Sequence, residues 1–387
     1  MNNLTITTLG EIADSIITGP FGTELHKSDY VESGTPVIMP QNIGMRTFNN
    51  EKIAYVDDFN AARLKRYAVI ENDIVYSRRG NIEKHAFITE NLAGALCGTG
   101  CFRVRLKMEE IDPEYISLYL TRPESRLWLV RHAVGSNMQN LNVGILQSVP
   151  ISFPKKTEQQ RIVSILSALE QKIVLNNSIN IELDRVSQTI YEYLFFNSKQ
   201  NELQLLSEKL KFTRGIEPGR SAYFDDCADV DSVPFIRVSD LGQIPAIHIS
   251  KNDANKSCCF PSDVLVAFDG SIGKMAIGMK GAYSTGIRKI KAKTHEYSDA
   301  LIYCIFRSEE IQRTIAKYAI GSNILHASSA IEHLTFPWGK EEVEKFNKLV
   351  EPMYRLMVDN IQQNIALTKL QDFLLPLLMN RQVRVKT

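Results

Sequence analysis

The feature that most constrains the fold of this chain is an internal repeat. Residues 72–86, NDIVYSRRGNIEKHA, align without a gap with residues 262–276, SDVLVAFDGSIGKMA, and share Asp, Gly, Ile, Lys and Ala at matched positions. GTGCFRVRLK (98–107) matches STGIRKIKAK (284–293), and RHAVGSN (131–137) matches KYAIGSN (317–323) at the same offset. A constant offset over this distance indicates that a whole domain has been duplicated.

Each copy is followed by a long helical pattern. After ISFPKKTEQQRI (151–162), apolar residues recur at close to heptad spacing, which predicts one helix over 158–196. At ~1.5 Å per residue this helix is about 58 Å long. The second pattern runs from Phe346 to Leu378, and Pro352 is expected to kink that helix or to mark its true start.

Asparagines lie midway along both helical patterns, at Asn176, Asn180, Asn360 and Asn364. Buried asparagines in an apolar seam lower stability but fix register. If the helices pack antiparallel, the four meet near the centre; the alternative is that each faces solvent. We expect an α+β fold in which two pseudo-repeated globular domains are separated by two long helices packed as an antiparallel coiled coil. The expected boundaries are 1–156, 157–199, 200–339 and 340–387.

Composition excludes several classes of protein. With 387 residues the chain is long enough for two or three domains, and a net charge of +1 argues against a uniformly basic nucleic-acid binder without excluding local basic faces. No apolar run approaches the ~18 residues of a membrane span, and the first residues lack the pattern of a signal peptide, so we expect a cytoplasmic protein without membrane association. The six cysteines form no CxxC pair and are expected to be reduced.

The GSIGK segment (270–274) is not a phosphate loop. A phosphate loop needs four residues between its two glycines and Ser or Thr after the lysine, whereas only two residues separate Gly270 from Gly273 and Met275 follows Lys274. Two similar domains on a helix pair instead suggest paired readers of duplex DNA, which presents successive major-groove faces ~34–36 Å apart. Because the copies differ in sequence, such a site would be asymmetric.

The chain resembles the specificity (S) subunit of Type I restriction-modification enzymes over nearly its whole length. The resemblance is carried by NDIVYSRRGNI and SDVLVAFDGSI, by GSNMQNLN (135–142), by FPKKTEQQRIVSIL (153–166) at the first spacer helix and by LLPLLMNRQV (374–383) at the end of the second. The chain departs from the family pattern at Asn72, Ser262 and Asn380, and Leu325 stands in the place of Gln139.

The resemblance implies a non-catalytic subunit with two target recognition domains. It implies double-stranded DNA as a partner, together with two adenine-N6 methyltransferase subunits and the motor-nuclease subunits of the restriction complex. S-adenosylmethionine, ATP and Mg²⁺ are then expected on those partners and no cofactor on this chain. In agreement, the sequence contains no NPP[FYW] or DPP[FYW] methylation motif and no Walker A motif. A scaffold with two protein-binding domains is the alternative, and an enzyme with a cleft between the repeats ranks last.

Candidate DNA contacts lie in polar segments that end or follow strand-like runs. Arginine reads guanine, amides read adenine and both lysine and arginine bind phosphate. In the first copy the candidates are Gln41, Asn42, Arg78, Arg79, Lys84, Asn137, Gln139 and Asn140. In the second copy they are Arg237, Ser239, Asp240, Asp269, Ser271, Lys274, Ser322, Asn323 and His326. The alternative for each is a solvated turn or a side chain that caps its own backbone.

Three further patterns bear on DNA recognition. The alternating FRVRLK strand places Arg103, Arg105 and Lys107 on one face, either as a phosphate-tracking surface or as the charged outer face of a half-buried strand. Phe268 and Asp269 replace the two arginines 78 and 79 and could be part of the base code. The aromatic residues at the end of the first helix are expected to pack on the second helix rather than stack on bases; these are Tyr191, Tyr193, Phe195 and Phe196.

Overall fold

The computed structural model describes residues 4–135, 139–196, 202–224, 231–254, 257–321 and 325–383. It divides into two compact units, Met1–Leu169 with Leu370–Thr387, and Glu170–Lys369. Each unit therefore contains one copy of the repeat and parts of both long helices.

The first unit contains a sheet with the strand order β2-β10-β7-β8-β5, a smaller sheet with the order β3-β6-β4-β9, and a two-stranded ribbon β1-β11. Strand β7 lies in the middle of the larger sheet and all four of its residues are buried, because Ile74 and Tyr76 face one apolar cluster and Val75 faces another. The elements in chain order are β1 Thr5–Thr8, α1 Leu9–Ile12, β2 Ala13–Thr18, β3 Tyr30–Val31, β4 Thr35–Ile38, β5 Met45–Arg46, β6 Ala54–Val56, α2 Asp58–Arg63, β7 Ile74–Ser77, β8 His85–Phe87, β9 Leu96–Cys97, β10 Cys101–Leu106, α3 Pro113–Leu120, α4 Pro123–His132, α5 Val143–Gln147, β11 Pro150–Phe153 and α6 Lys156–Phe196.

The second unit repeats this plan. Its sheets have the orders β13-β20-β17-β18 and β15-β14-β19-β16, with a ribbon β12-β21. The elements are β12 Glu202–Leu205, α7 Leu206–Lys209, β13 Leu210–Arg214, β14 Ser232–Ile236, β15 His248–Ser250, α8 Lys251–Ala254, β16 Cys258–Cys259, β17 Val264–Ala267, β18 Met275–Ala276, β19 Gly281–Tyr283, β20 Ile287–Ala292, α9 Asp299–Arg307, α10 Glu309–Lys317, β21 Thr335–Trp338 and α11 Lys340–Met379.

The repeat seen in the sequence is also a repeat of topology. The order β2-β10-β7-β8 in the first sheet corresponds to β13-β20-β17-β18 in the second. Both smaller sheets contain one parallel pair, β4 with β9 and β14 with β19. The expected α+β fold with two pseudo-repeated domains and two long helices is confirmed.

The two long helices are antiparallel where they pack within the second unit. Asn176 contacts Gln363 and Asn364, whereas Tyr191, fifteen residues further on, packs edge-on against Phe346 at a ring distance of 6.3 Å. Partners thus move toward lower numbers on α11 as α6 advances. Phe195 also packs against Phe346, which confirms the prediction for two of the four aromatic residues, but Tyr193 is 70% exposed. The side chain of Phe196 lies outside the described residues.

The four asparagines meet in this seam, as predicted. The amide of Asn176 donates to the Asn364 side chain at 2.9 Å, and the amide of Asn360 donates to the Asn180 side chain at 2.9 Å. Asn176 is fully buried. These bonds favour one register of the helices over its neighbours, because a shift by one turn would leave buried amides without partners.

Helix α11 begins at Lys340 and runs through Pro352 to Met379. The expectation that Pro352 marks the start of the helix is therefore wrong. Proline removes one helical hydrogen bond, while the buried side chains of Phe346 and Val350 precede it on the same helix and Met357 follows it. Tertiary packing of these side chains stabilises the helix on both sides of the proline.

The cysteines of the described residues are free, as expected for reduced thiols; they are Cys97, Cys101, Cys258, Cys259 and Cys304. Burial raises the pKa of the Cys97 thiol to about 12. Cys227 lies outside the described residues.

Candidate nucleic-acid interface

In the first unit, several strands end or begin at one edge of the sheet. Ser77, the last residue of β7, pairs with Cys101, and Phe102 pairs with Thr18, the last residue of β2. The N–H of Gly98 bonds to the carbonyl of Ile38, which brings the end of β4 to the same place. We call the loops that meet here the first edge; they comprise residues 19–23, 39–42, 78–84, 98–100 and 139–141.

The corresponding loops of the second unit form the second edge, comprising residues 215–219, 237–240, 268–274, 284–286 and 325–327. The backbone connections are equivalent. The N–H of Arg78 bonds to the carbonyl of Gly100 at 2.7 Å, and the N–H of Phe268 bonds to the carbonyl of Gly286 at 2.9 Å. Each unit therefore presents the same set of loops on the same strand ends.

The turn after β7 and the turn after β17 have a left-handed glycine at the same position. Gly80 and Gly270 have φ values of 77° and 74°, in the left-handed region that only glycine enters at little cost. The N–H of Lys84 bonds to Asn81, and the N–H of Lys274 bonds to Ser271. The glycines are thus required by the backbone, as the sequence suggested, and each turn places one lysine at the same point.

The structure brings two distant candidate segments together at each edge. Arg79 and Asn140 form a bridge of β type, and the N–H of Leu141 bonds to the carbonyl of Arg78 at 3.0 Å. In the second unit, Asp269 and His326 form the equivalent bridge. In each unit, the candidate residue of the glycine turn and the candidate residue of the later loop therefore belong to one surface.

The two edges differ in charge. Arg79 is exposed and Arg78 and Lys84 are partly exposed, so the first edge is cationic. At the second edge, Asp269 lies 2.8 Å from Nδ1 of the exposed His326. The second edge thus offers a carboxylate and an imidazole where the first offers a guanidinium and an amide.

Lysine and serine connect two loops of the second edge. The ammonium of Lys274 donates to the carbonyl of Ser239 at 3.1 Å. Ser239 and Ser271 are exposed, and the Ser239 hydroxyl donates to the Asp240 carboxylate at 3.1 Å. Gln41 and Gln139 at the first edge donate to backbone carbonyls, of Lys52 at 3.1 Å and of Val130 at 3.5 Å.

Asn42 and Asp240 occupy equivalent places, and both shape their own loops. Asn42 is fully buried; its side chain accepts from the N–H of Met39 at 3.0 Å and donates to Asn49 at 2.9 Å. The Asp240 carboxylate accepts from the Arg237 guanidinium at 2.8 and 3.1 Å. For Asn42 and Asp240 the structure therefore supports a backbone cap rather than a base contact, because their polar atoms are already paired within the loop.

The pair formed by Arg237 and Asp240 is coupled electrostatically. Burial by itself raises the pKa of Asp240, but hydrogen bonds from Arg237 and Ser239 outweigh it and lower that pKa. Arg237 is only partly exposed and its guanidinium is held by this carboxylate. Its place at the second edge is fixed, and its affinity for phosphate is reduced by the anion beside it.

The arginine side chains of strand β10 in the first unit are hydrogen-bonded to other groups of the same unit. Arg103 is 7% exposed and donates to the carbonyls of Arg66 and Ala68. Arg105 forms a bidentate pair with the buried Asp73 at 2.8 and 2.7 Å. The second unit repeats this pair as Lys291 with Asp263 at 2.8 Å. Arg103 and Arg105 are therefore not free to track phosphates, and of the three basic residues in this pattern only Lys107 is exposed.

Some candidates fall elsewhere. Phe268 is fully buried within the largest apolar cluster of the second unit, so it is a core residue and does not form part of a base code. Asn137, Ser322 and Asn323 lie outside the described residues.

Sequence reasoning missed the loop after β2 and its counterpart after β13. A Cβ atom on Gly19 would lie 2.0 Å from the carbonyl oxygen of Gly98, and one on Gly215 would lie 2.1 Å from that of Tyr283. Two matched glycines that each follow a strand-like run were the available signal. Phe21 lies two residues after Gly19, and the exposed Arg214 directly precedes Gly215.

The described residues contain no group of three or more His, Cys, Asp or Glu side chains arranged to hold a metal ion. Among the helices that the structure describes, none combines the length and the apolar character needed to cross a membrane.

Comparison with known proteins is consistent with this architecture. Residues 3–185 match the family model of the Type I restriction modification DNA specificity domain. The chain is 22% identical to the Type I restriction enzyme HindI specificity subunit of Haemophilus influenzae, over 82% of this chain and 87% of that protein. It is 23% identical to the MjaIX specificity subunit of Methanocaldococcus jannaschii, over 74% of this chain and 72% of that protein.

A solved structure shares the fold. The Type-I restriction-modification system S subunit from M. genitalium superimposes with a TM-score of 0.61 at 15% identity, covering 100% of this chain and 97% of that one. The duplicated α+β domains, the long helices and these matches show that the chain is similar to the specificity subunits of Type I restriction-modification systems, and that residues 3–185 match their DNA specificity domain.

Proposed function

We propose that this chain reads an asymmetric, bipartite site on double-stranded DNA, with the first edge reading one half-site and the second edge the other. One observation carries the proposal: both edges have the same backbone connections, yet they present different side chains. Arg79 and Asn140 are paired at the first edge, and Asp269 and His326 at the second.

The side-chain chemistry at each edge suits base recognition. Arginine donates two hydrogen bonds to guanine and asparagine pairs with adenine, whereas a carboxylate accepts from the amino group of cytosine. Lys84 and Lys274, which lie at the same point of both turns, are the proposed phosphate contacts. The remaining proposed contacts are Arg78, Gln41 and Gln139 at the first edge and Arg237, Ser239 and Ser271 at the second, together with Asn137, Ser322 and Asn323.

We propose further that the chain is non-catalytic and docks adenine-N6 methyltransferase subunits and the motor-nuclease subunits of a restriction complex. S-adenosylmethionine, ATP and Mg²⁺ then belong to those partners. The proposed domain division is the one given by the sequence, with recognition domains over 1–156 and 200–339 and spacer helices over 157–199 and 340–387. A cytoplasmic location follows from the access to chromosomal DNA that this role requires.

Mapping of N6-methyladenine by single-molecule sequencing tests the proposal. Host DNA from cells with and without the gene is compared, and we expect loss of methylation at one split, asymmetric motif. Arg79→Ala is expected to relax the motif in one half-site only and Asp269→Ala in the other. Lys172→Ala, which removes an exposed cation on α6, is the matched control and leaves the motif unchanged.

Salt dependence separates DNA readout from a protein-binding scaffold. Binding of the purified chain to a labelled random-sequence duplex is measured at several salt concentrations. DNA binding weakens steeply with salt, and loss of one phosphate contact in Lys84→Ala reduces the slope of log K against log salt by about 0.9. An unchanged methylome together with salt-independent behaviour would instead support the scaffold with two protein-binding domains.

A further inference from the structure

An exposed aromatic ring lies in the loop that follows β2. Phe21 is 55% exposed. The next residue, Gly22, has no atom within 4 Å of the position that its Cβ would take, so the chain on that side of the ring is open to solvent. Singly exposed apolar residues are common on protein surfaces, so exposure alone assigns no role to Phe21.

Hydrogen bonds and a buried side chain hold the residues that follow Phe21 in place. The carbonyl of Phe21 accepts from the N–H groups of Glu24 at 2.8 Å and Leu25 at 3.2 Å. Leu25 is buried in an apolar cluster. The Glu24 carboxylate accepts from the Tyr67 hydroxyl at 2.6 Å, and this bond is the main reason that the pKa of Glu24 is lowered. The backbone of Phe21 is thus ordered in advance, which reduces the entropy cost of using the ring as a contact.

The position of the loop is what distinguishes Phe21. Two residues before it, the N–H of Gly19 bonds to the carbonyl of Cys101 at 2.9 Å, and Gly19 lies against Gly98. The same 98–100 loop accepts the N–H of Arg78 at 2.7 Å. The loop of Phe21 and the arginine turn therefore share one neighbour at the first edge.

The second edge has no aromatic residue at this place. Counting from the matched glycines Gly19 and Gly215, Phe21 corresponds to Glu217. The Glu217 carboxylate accepts from the Thr285 hydroxyl at 3.1 Å. The two edges therefore differ in apolar as well as in polar chemistry.

We propose that Phe21 contacts the methyl group of a thymine in the half-site read by the first edge. The inference rests on the proposed DNA readout and adds a specificity-determining residue to it. Thymine is the base that presents an apolar group in the major groove, where arginine and asparagine side chains read guanine and adenine. An apolar ring on a loop that shares a neighbour with the arginine turn supplies the discrimination that the polar side chains cannot.

The experiment removes one methyl group from the DNA and one ring from the protein. A random-sequence duplex pool is enriched on the full-length chain, and the recovered site is resynthesised with deoxyuridine replacing each thymine in turn. The proteins are the wild type, Phe21→Ala and Phe59→Ala. Phe59 is 75% exposed on α2 and lies outside the first edge, so it is the matched control.

At one thymine of one half-site, deoxyuridine is expected to weaken binding of the wild type and of Phe59→Ala about tenfold. Phe21→Ala binds the thymine duplex equally weakly and does not respond to the replacement, because the contact is already lost. Thermal unfolding of Phe21→Ala should match the wild type, since Leu25 and Glu24 hold the loop.

Three outcomes overturn the inference. The first is that no deoxyuridine replacement weakens binding of the wild type. The second is that the replacement weakens binding of the wild type and of Phe21→Ala equally. In both cases an enriched site leaves the proposed DNA readout intact. Enrichment of no sequence by the wild type would overturn the proposed function itself, and the thymine contact with it.

Discussion

Replacement of Asp73 by alanine should destabilise the first unit strongly. Asp73 is 1% exposed and accepts three hydrogen bonds, from Arg105 at 2.8 and 2.7 Å and from the N–H of Ile70 at 2.8 Å. Breaking a buried ion pair costs about 3–5 kcal/mol because a charge remains without its partner. The Arg105 side chain is 27% exposed and can be hydrated in part, which places the expected loss near about 3 kcal/mol.

Fluorescence can follow this unit separately. The chain has 2 tryptophans, and Trp128 stacks on His132 in the first unit at a ring distance of 3.9 Å. In a Trp338→Phe background, Trp128 is the reporter. A loss of about 3 kcal/mol lowers the Tm of its transition by about 6–12 °C.

A double-mutant cycle with Arg105→Ala isolates the ion pair. The coupling energy is expected to exceed about 1.5 kcal/mol, the lower range for hydrogen bonds to charged groups. Lys107→Ala is the control. Lys107 directly follows β10, the strand that contains Arg105, and its exposed ammonium donates to the carbonyl of Glu11, so its loss should change the Tm little. Additive effects of Asp73→Ala and Arg105→Ala, within about 0.5 kcal/mol, would refute the argument.

Three other predictions concern the seam, the loop after β2 and a buried histidine. Asn176→Ala should destabilise the helix pair by about 1–3 kcal/mol in chemical unfolding, because the side chains of Gln363 and Asn364 lose a buried donor; an unchanged midpoint would contradict this. Gly19→Ala should reduce the yield of folded protein, since its Cβ would lie 2.0 Å from the Gly98 oxygen, and a wild-type melting curve would show that the loop can move. Burial lowers the pKa of His85 to about 3, so the unfolded chain binds a proton that the folded chain excludes; stability should fall as the pH drops from about 6.5 toward 3, and His85→Gln should flatten this dependence in acid titrations followed by Trp128 fluorescence.

Periodic and repeated signals made the architecture predictable. Heptad spacing is local information, so it located both helices to within a few residues of their observed ends. The meeting of the four asparagines, Asn176 with Asn364 and Asn180 with Asn360, could be expected in advance because antiparallel packing of two equivalent helices brings their midpoints together. Of the two alternatives for Pro352, the helix start was wrong because packing on both sides of the proline outweighed the local helix-breaking preference.

The candidate interface was predictable only in part. The glycine turn was found because Gly80 and Gly270 repeat, and its contact with the segment around Asn140 required the folded chain. The alternation in FRVRLK correctly placed Arg103 and Arg105 on one face. It could not reveal that the buried Asp73 pairs with Arg105, because this carboxylate directly precedes β7 and lies about thirty residues earlier in the sequence.

The sequence by itself determined the duplicated order of domain and helix, the length of the helices and the asymmetry between the copies, because these depend on spacing along the chain. Only the tertiary structure decided which polar residues are accessible. It buried Asn42, paired Arg105 internally, and joined Arg79 to Asn140 at the first edge. Burial and pairing depend on contacts between segments far apart in the sequence, and no local pattern contains that information.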